Sequence, residues 1–209
     1  YGGNLKSKRV IIQGWGNVAA AAAYYLSKEG ASIVGIIDKN GGLIDQKGFS
    51  YNEIKELFIN RESNSLKSEK IISFEETNEK IWSIGAEIFV PAAASRLLNQ
   101  KQLDEMIENN LELISSGANV PFADKEIFFG PISKNADQQI SVIPDFIANC
   151  GMARAFSYCM TDNIKIDDVE IFKSVSKTIK EAIQEVYNIN RKNTSISRTA
   201  LEIALKKLN

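Results

Sequence analysis

Gly14, Gly16 and Ala19 form a G-x-G-x-x-A series inside RVIIQGWGNVAAAAAYYLSKEG, residues 9–30, and Asp38 follows 22 positions after Gly16. Small residues at this spacing suit the binding of a dinucleotide through the backbone. Gly14 permits a tight turn from strand to helix. Gly16 puts no side chain between the backbone and a pyrophosphate, and Ala19 lets the helix lie close to a sheet. Free N–H groups at the helix N-terminus, with their partial positive charge, then face the phosphates. An acidic side chain about 20 residues further on is placed to bond a ribose hydroxyl pair, which makes Asp38 the second contact.

Such a series carries weight only between a strand and a helix, and the flanking residues supply both. Val10, Ile11 and Ile12 are a β-branched run of the kind found in strands covered on both faces. The alanine-rich stretch predicts a helix packing on Val18, Ala19, Ala22, Ala23 and Leu26 and ending at Gly30 in a left-handed cap. Residues 32–37 then form a second strand that delivers Asp38.

Composition narrows the chemistry further. The 209 residues are 44% hydrophobic, enough for one sizeable core. A formal net charge of −1 gives no general attraction to nucleic acid or to an anionic membrane. The longest largely apolar run, residues 18–26, is too short to span a bilayer. Two cysteines do not make a disulfide framework, so a cytoplasmic location is expected. The sequence has no histidine, which removes His-based triads, HExxH zinc sites and imidazole bases, and no metal site is expected. Any acid–base work falls to Lys, Asp, Glu or Tyr, or to residues outside this chain.

Residues 1–8 are polar and read as a linker arriving from something upstream. Asn40-Gly41-Gly42 is a turn signal opening a loop that ends at Gly48. Ser50 and Glu53 fit a capping box for a helix to about Asn60 with Ile54, Leu57 and Phe58 inward. Residues 61–70 read as a solvated loop, 70–74 as a candidate third strand, and 78–84 as a short helix or turn. Residues 86–90 form an apolar strand running into Pro91-Ala92-Ala93-Ala94, as at the carboxyl edge of a parallel sheet, where ligands lie. A helix over 100–110 leads to a strand over 111–115 and then to Gly117-Ala118-Asn119. Residues 123–129 read as a short helix and 140–143 as the last strand.

Residues 146–160 read as one helix, apolar except for Asn149, Arg154 and Ser157. Residues 167–187 form an amphipathic helix with Val169, Phe172, Val175, Ile179, Ile183 and Val186 on one stripe. Ser197 is expected to cap a last helix that packs through Leu201, Ala204, Leu205 and Leu208. The sum is an α/β fold, a Rossmann-type, doubly wound, mainly parallel sheet with a C-terminal helical tail. Residues 1–160 make up the dinucleotide-binding unit, and helices within 161–209 pack on it.

The runs LKSKRVIIQGWGNVA, IIDKNGGLID, EIFVPAA, SGANVPF, VIPDFIANCGMAR and SRTALEIAL occur in the order seen in the glutamate/leucine/phenylalanine/valine dehydrogenases, and the chain resembles that family over nearly its whole length. The resemblance implies the C-terminal, cofactor-binding domain of an enzyme that oxidatively deaminates an L-amino acid to a 2-oxo acid with NAD or NADP. By position, Gly14, Gly16, Asn17 and Val18 would cradle the pyrophosphate, Asp38 would hold the adenosine ribose, and Ala92 and Ala93 would flank the cofactor. Asn119 and Asn149 would meet the nicotinamide end and the substrate.

The family's catalytic lysine and aspartate belong to an N-terminal substrate domain with no counterpart here. The chain alone is therefore expected to be inactive, meeting its amino acid substrate through that domain and forming a homo-oligomer when full length. NAD is the expected cofactor, with NADP possible through Lys39. The alternative is a regulatory module that binds a dinucleotide without chemistry. The sequence departs from the family at Met152, where glycine is usual, at Arg154, usually uncharged, and at Phe156, a serine in glutamate-specific members. On a continuous helix Phe156 lies seven residues beyond Asn149, on the same face. It is thus the candidate substrate-pocket residue and favours an apolar amino acid, while Arg154 points away.

Overall fold

The computed structural model describes residues 3–61, 63–161, 164 and 166–208. Tyr1, Gly2, Glu62, Asp162, Asn163, Lys165 and Asn209 lie outside the described residues, and with them the start of the lead-in and parts of the 61–70 loop and of the junction before the tail. The expected strand–turn–helix is present as β1 (Arg9–Gln13), α1 (Asn17–Lys28) and β2 (Ser32–Asp38). Helix α1 stops as predicted: Gly30 has φ +91°, and the Gly30 and Ala31 N–H groups donate to Ser27 and Leu26 carbonyls at 3.0 Å each. This is the double bond pattern by which a left-handed residue closes a helix.

A six-stranded sheet runs in the order β3-β2-β1-β4-β5-β6, with β4 Ile88–Pro91, β5 Leu113–Ser115 and β6 Ser141–Ile143. Strands β2, β1, β4, β5 and β6 pair in parallel, and β3 (Gly41–Phe49) closes the edge antiparallel to β2. The chain thus belongs to the Rossmann-type doubly wound class. Alternation in β1 divides the core: Val10 and Ile12 enter one cluster with α1 and with Ile54 of α2 (Tyr51–Ile59). Ile11 enters the other, with Phe89, Leu103 and Met106. Both faces are covered, which explains the unbroken apolar run.

Several expectations need correction. Residues 41–48 are not a loop but most of β3. This is an edge strand whose Gln46 and Lys47 face solvent, so it lacks the apolar alternation that marks a half-buried strand. Residues 70–74 contribute only a single bridge, Ile72 to Gly42; the helix there is α3 (Phe74–Lys80), capped by Ser73 and continued by a 3₁₀ turn, Ile81–Ser83. Helix α4 is Gln100–Glu108.

No helix spans 123–129, which is irregular. The helix is α5 (Pro131–Gln139), with proline in its first turn, and the Asp124 carboxylate accepts from the Ile132 and Ser133 N–H groups at 2.9 Å each. A cap borrowed from eight residues upstream leaves no local signal to read.

The continuous helix over 146–160 is two helices, α6 (Asp145–Ala148) and α7 (Gly151–Cys159), with Asn149 ending the first and Cys150 starting the second. Helix α7 buries none of its residues. Helix α8 (Asp168–Ile189) buries Val186, with Ile179 and Ile183 packed beside it, while Val169 and Phe172 at its start are exposed. Helix α9 (Ile196–Leu208) packs through Ile196, Thr199 and Ala200 rather than through Leu205 and Leu208, which are exposed. Its N-terminus is held by the Asp137 carboxylate of α5, which accepts from the Ser197 and Arg198 N–H groups at 2.9 and 3.0 Å.

Candidate functional site

A cleft of about 690 Å³ opens at the carboxyl ends of β1, β2 and β4, within the roughly 300–1,000 Å³ of small-molecule sites. From β1 the chain builds outward to β2 and β3 on one side and to β4, β5 and β6 on the other. The crevice at that switch point is where an open α/β sheet takes its ligands. Gly14, Gly16, Asn17, Val18, Asp38, Ala92 and Ala93 all border it.

The two glycines serve different ends. Gly14 has φ +97°, and a Cβ there would stand 2.9 Å from the Ala93 Cα and 3.0 Å from the Ala92 carbonyl oxygen. The turn and the packing of the β4 end against it both demand glycine. Gly16 has an ordinary φ of −77°, and a Cβ there would meet nothing nearer than Asn64 at 3.7 Å. Neither backbone nor neighbours require glycine at that position, and the space a side chain would fill lies at the start of α1. Helix α1 has no side-chain cap and no acidic residue in its first turn, so its first N–H groups remain for an anion. The residue between the glycines, Trp15, is fully buried and donates from Nε1 to the Leu57 carbonyl at 3.3 Å.

Val18 was expected in the core but is 51% exposed on the cleft wall; Ala20, two positions on, takes the buried place. Asn17 accepts at Oδ1 from the Arg61 Nη2 at 2.7 Å, so its amide N–H₂ is the end left to donate. The Arg61 guanidinium lies over the Phe58 ring at 5.2 Å, and its Nη1 is buried without a hydrogen-bond partner among the described residues.

Asp38 is nearly buried, and its Oδ2 accepts from the Leu66 N–H at 3.1 Å. That bond, with Asn64 on the cleft wall, puts Asn64 and Leu66 at one side of the site rather than in a solvated loop. Leu66 is only 2% exposed, an apolar anchor hidden in an otherwise polar stretch.

Asn119 and Asn149 do not border the cleft. They meet each other: the Asn149 Nδ2 donates to the Asn119 Oδ1 at 2.6 Å. The pair follows the ends of β5 and β6, and the Asp145 carboxylate ties the two connections by accepting from the Val120 N–H at 2.7 Å. Val18 stands against Gly117, where a Cβ would meet its Cγ1 at 3.2 Å. Phe156 joins neither group. It sits 63% exposed on α7, and the break at Asn149 and Cys150 removes the common helix face that placed it beside Asn149. Arg154 on the same helix donates from Nε to the Ser174 Oγ of α8 at 3.0 Å.

Lys39, expected beside Asp38, lines the cleft, whereas sequence reasoning missed Phe74, Asn78, Trp82, Leu97 and Gln102, which line it as well. Part of it was readable, since Asn99 and Gln102 form a capping box for α4 and Ser73 caps α3 three residues before Glu76. Neither pattern announces a ligand wall.

A family model described as Glutamate/Leucine/Phenylalanine/Valine dehydrogenase matches residues 1–209. An NADP-specific glutamate dehydrogenase of Saccharolobus shibatae is 30% identical over 201 residues, 91% of this chain and 43% of the relative. An NAD-specific glutamate dehydrogenase A of Halobacterium salinarum is 29% identical over 151 residues, 72% of this chain and 32% of the relative. The solved structure of Plasmodium falciparum glutamate dehydrogenase 2 superposes with a TM-score of 0.71 at 25% identity, covering 94% of this chain and 44% of that one. The chain spans less than half the length of the curated relatives it matches. It belongs to the glutamate/leucine/phenylalanine/valine dehydrogenase family.

Proposed function

We propose that this chain is the cofactor-binding portion of an L-amino acid dehydrogenase that uses NAD or NADP to convert an L-amino acid to its 2-oxo acid with release of ammonia. The observation that carries this reading is the cleft itself, with the bare start of α1 at one end and the Asp38 carboxylate beside it. Relatives described as NADP-specific and as NAD-specific glutamate dehydrogenases support the cofactor class.

The nicotinamide ring, when bound, supplies the hydride acceptor. This chain's residues bind and orient. The backbone around Gly14 and Gly16, with Asn17 and Val18, would take the pyrophosphate, and Asp38 would accept from the ribose hydroxyls. Ala92 and Ala93 would lie along the cofactor without crowding it. The Asn119–Asn149 pair would stand toward the nicotinamide end, where one amide of the pair keeps a donor and the other an acceptor for a carboxamide or a substrate. The proton-accepting and carboxylate-holding groups that deamination needs would come from polypeptide outside this chain, as would the contacts of a full-length oligomer. A preference for one amino acid is not assigned through Phe156, because its shared face with Asn149 is absent.

Asp38 favours NAD. Its carboxylate, aligned by Leu66, accepts hydroxyl hydrogens in hydrogen bonds of roughly 1.5–3 kcal/mol. A 2′-phosphate in the same place would meet like charge, with Lys39 nearby to offset part of it. Calorimetric titration with NAD and NADP tests this. Tighter NAD binding is expected; tighter NADP binding would show that Asp38 is not at the ribose, and binding of neither would remove the dinucleotide reading. Steady-state deamination across L-amino acids by a longer polypeptide containing this chain, and by the chain alone, separates an enzyme from a binding module without chemistry.

A further inference from the structure

We propose that the end of the cleft beyond Asp38 takes a purine ring, and that Asn78 recognises it by donating from its side-chain amide to a ring nitrogen. The inference rests on the dinucleotide reading above and adds the base-reading residue to it. The Asn78 Oδ1 accepts twice, from the Trp82 Nε1 at 3.1 Å and from the Gln102 Nε2 at 3.3 Å. An indole N–H only donates, so the oxygen of Asn78 faces it and the amide cannot be turned the other way round.

Gln102 is fixed in the same manner. Its Oε1 accepts from the Asn99 N–H at 3.0 Å while its own backbone N–H donates to the Asn99 Oδ1 at 3.0 Å. The capping box of α4 therefore aims the Gln102 side-chain N–H₂ at Asn78. This chain of bonds ends at the Asn78 Nδ2, which has no acceptor among the described residues. Both amides border the cleft.

The surroundings define what would satisfy that donor. Helix α3 packs against β2 and β3, which places Asn78 on the Asp38 side of the cleft. If the start of α1 holds phosphate and Asp38 holds ribose, the group reaching Asn78 is the base. Phe74, 41% exposed, and Leu97, 43% exposed, give the cleft apolar surface, and the buried Trp82 lines it too. A purine is flat and apolar on its faces and carries nitrogen acceptors on its edge, so it satisfies both the walls and the unpaired N–H₂.

The test uses Asn78→Asp. A carboxylate keeps both acceptor roles toward Trp82 and Gln102 but turns an acceptor toward the cleft in place of N–H₂. Wild-type and variant protein are titrated with adenosine, NAD and nicotinamide mononucleotide, with thermal unfolding as the check on folding. Adenosine is uncharged, so the new charge has no phosphate to repel in that titration. The expected result is a loss of about tenfold or more for adenosine and for NAD, with nicotinamide mononucleotide binding and Tm unchanged. Asn78→Leu, which also lacks the donor, should lose adenosine to a similar degree and serves if the aspartate variant does not fold.

Equal adenosine affinity in wild type and variants overturns the assignment of Asn78 while leaving the dinucleotide site standing. A loss shared equally by nicotinamide mononucleotide also overturns it, because the defect would then not be at the base. Wild-type protein that binds neither NAD nor adenosine overturns the dinucleotide reading and this inference together.

Discussion

Phe89 on β4 and Phe156 on α7 are aromatic residues in regular elements, yet the first is 0% exposed and the second 63%. They stand for two regions. Around β1, α1, β2 and β4 the apolar residues are covered within the chain, Val18 and Tyr25 of α1 excepted, and the cleft forms where those elements end. On α7 and the start of α8, Met152, Phe156, Met160, Val169 and Phe172 face outward, and α7 buries none of its residues. The contrast shows what an amphipathic pattern means. It states that a face is apolar; it does not state that the covering partner lies in the same chain. Where that partner is local, sequence reading and structure agree, and where it is not, the predicted packing stripe is found in solvent.

The sharpest way to break this contrast is to truncate a residue on each side. Phe89 packs edge-on against Trp82, ring centroids 5.8 Å apart, inside the cluster that includes Ile11 and Met106. Phe89→Ala should destabilise the chain by roughly 3–5 kcal/mol through lost transfer energy and a cavity that cannot fully collapse. Urea denaturation measures it. A change below about 1 kcal/mol would mean that the sheet core is far looser than its burial indicates.

The paired glycines sharpen the comparison within the ordered region. Gly14→Ala forces a Cβ onto a backbone at φ +97° and into contact with Ala93, which should cost about 1–3 kcal/mol of stability. Gly16→Ala meets only ordinary contact with Asn64, so stability should change by about 1 kcal/mol or less, while NAD affinity falls because the methyl occupies the pyrophosphate's approach. Denaturation and calorimetry on both variants separate the two demands. Unchanged NAD affinity in Gly16→Ala would mean that phosphate does not lie over that position.

How much was legible follows from how local each signal is. The G-x-G-x-x-A turn, the Gly30 cap and the Ser50–Glu53 capping box depend on residues within a few positions of one another, and each occurs where the sequence predicted it. Signals carried through space were not legible. Asp124 caps α5 and Asp137 caps α9 from distant positions, leaving nothing at the helix starts themselves. Edge strand β3 carries a polar face and a glycine-rich entry, so it reads as a loop. The break between α6 and α7 has no proline to mark it, and the far wall of the cleft depends on α3 and α4 meeting across a long sequence interval. Asn119 and Asn149 were expected at the nicotinamide end and the substrate; their bond to each other, away from the residues that line the cleft, had no signal in the sequence.

A smaller effect tests the tether between the sheet and the tail. Asp137 is nearly buried, and burial raises its pKa above the ordinary 3.8 despite the N–H groups that bond its ionised form. Because the folded value lies above the unfolded one, protonation favours the folded state. This residue's contribution is fully present below pH 3.8 and is lost as pH rises through the raised value. Asp137→Asn should remove that local slope and, by replacing one acceptor with a donor opposite the Ser197 and Arg198 N–H groups, destabilise the chain by about 1–2 kcal/mol at neutral pH. Denaturation at pH values from about 4 to 7 in wild type and variant reads both effects. An unaltered slope would place the titrating group elsewhere.

The smallest expected effect belongs to Phe156, the residue on which sequence reasoning hung substrate choice. The argument for it needed one helix through Asn149, so that a seven-residue step would return to the same face. The chain instead ends α6 at Asn149 and restarts α7 from Cys150, and Phe156 emerges 63% exposed. Phenylalanine and serine have similar helix propensities, and little apolar area is withdrawn from water at that position. Phe156→Ser should therefore change stability by no more than about 0.5 kcal/mol and leave NAD affinity where it was, in contrast to Phe89→Ala on one count and Gly16→Ala on the other. Urea denaturation and calorimetric titration of the same preparation decide it. A loss above about 2 kcal/mol would show α7 packed into this chain's core, and a drop in NAD affinity would show that Phe156 reaches the bound cofactor despite the break after Asn149.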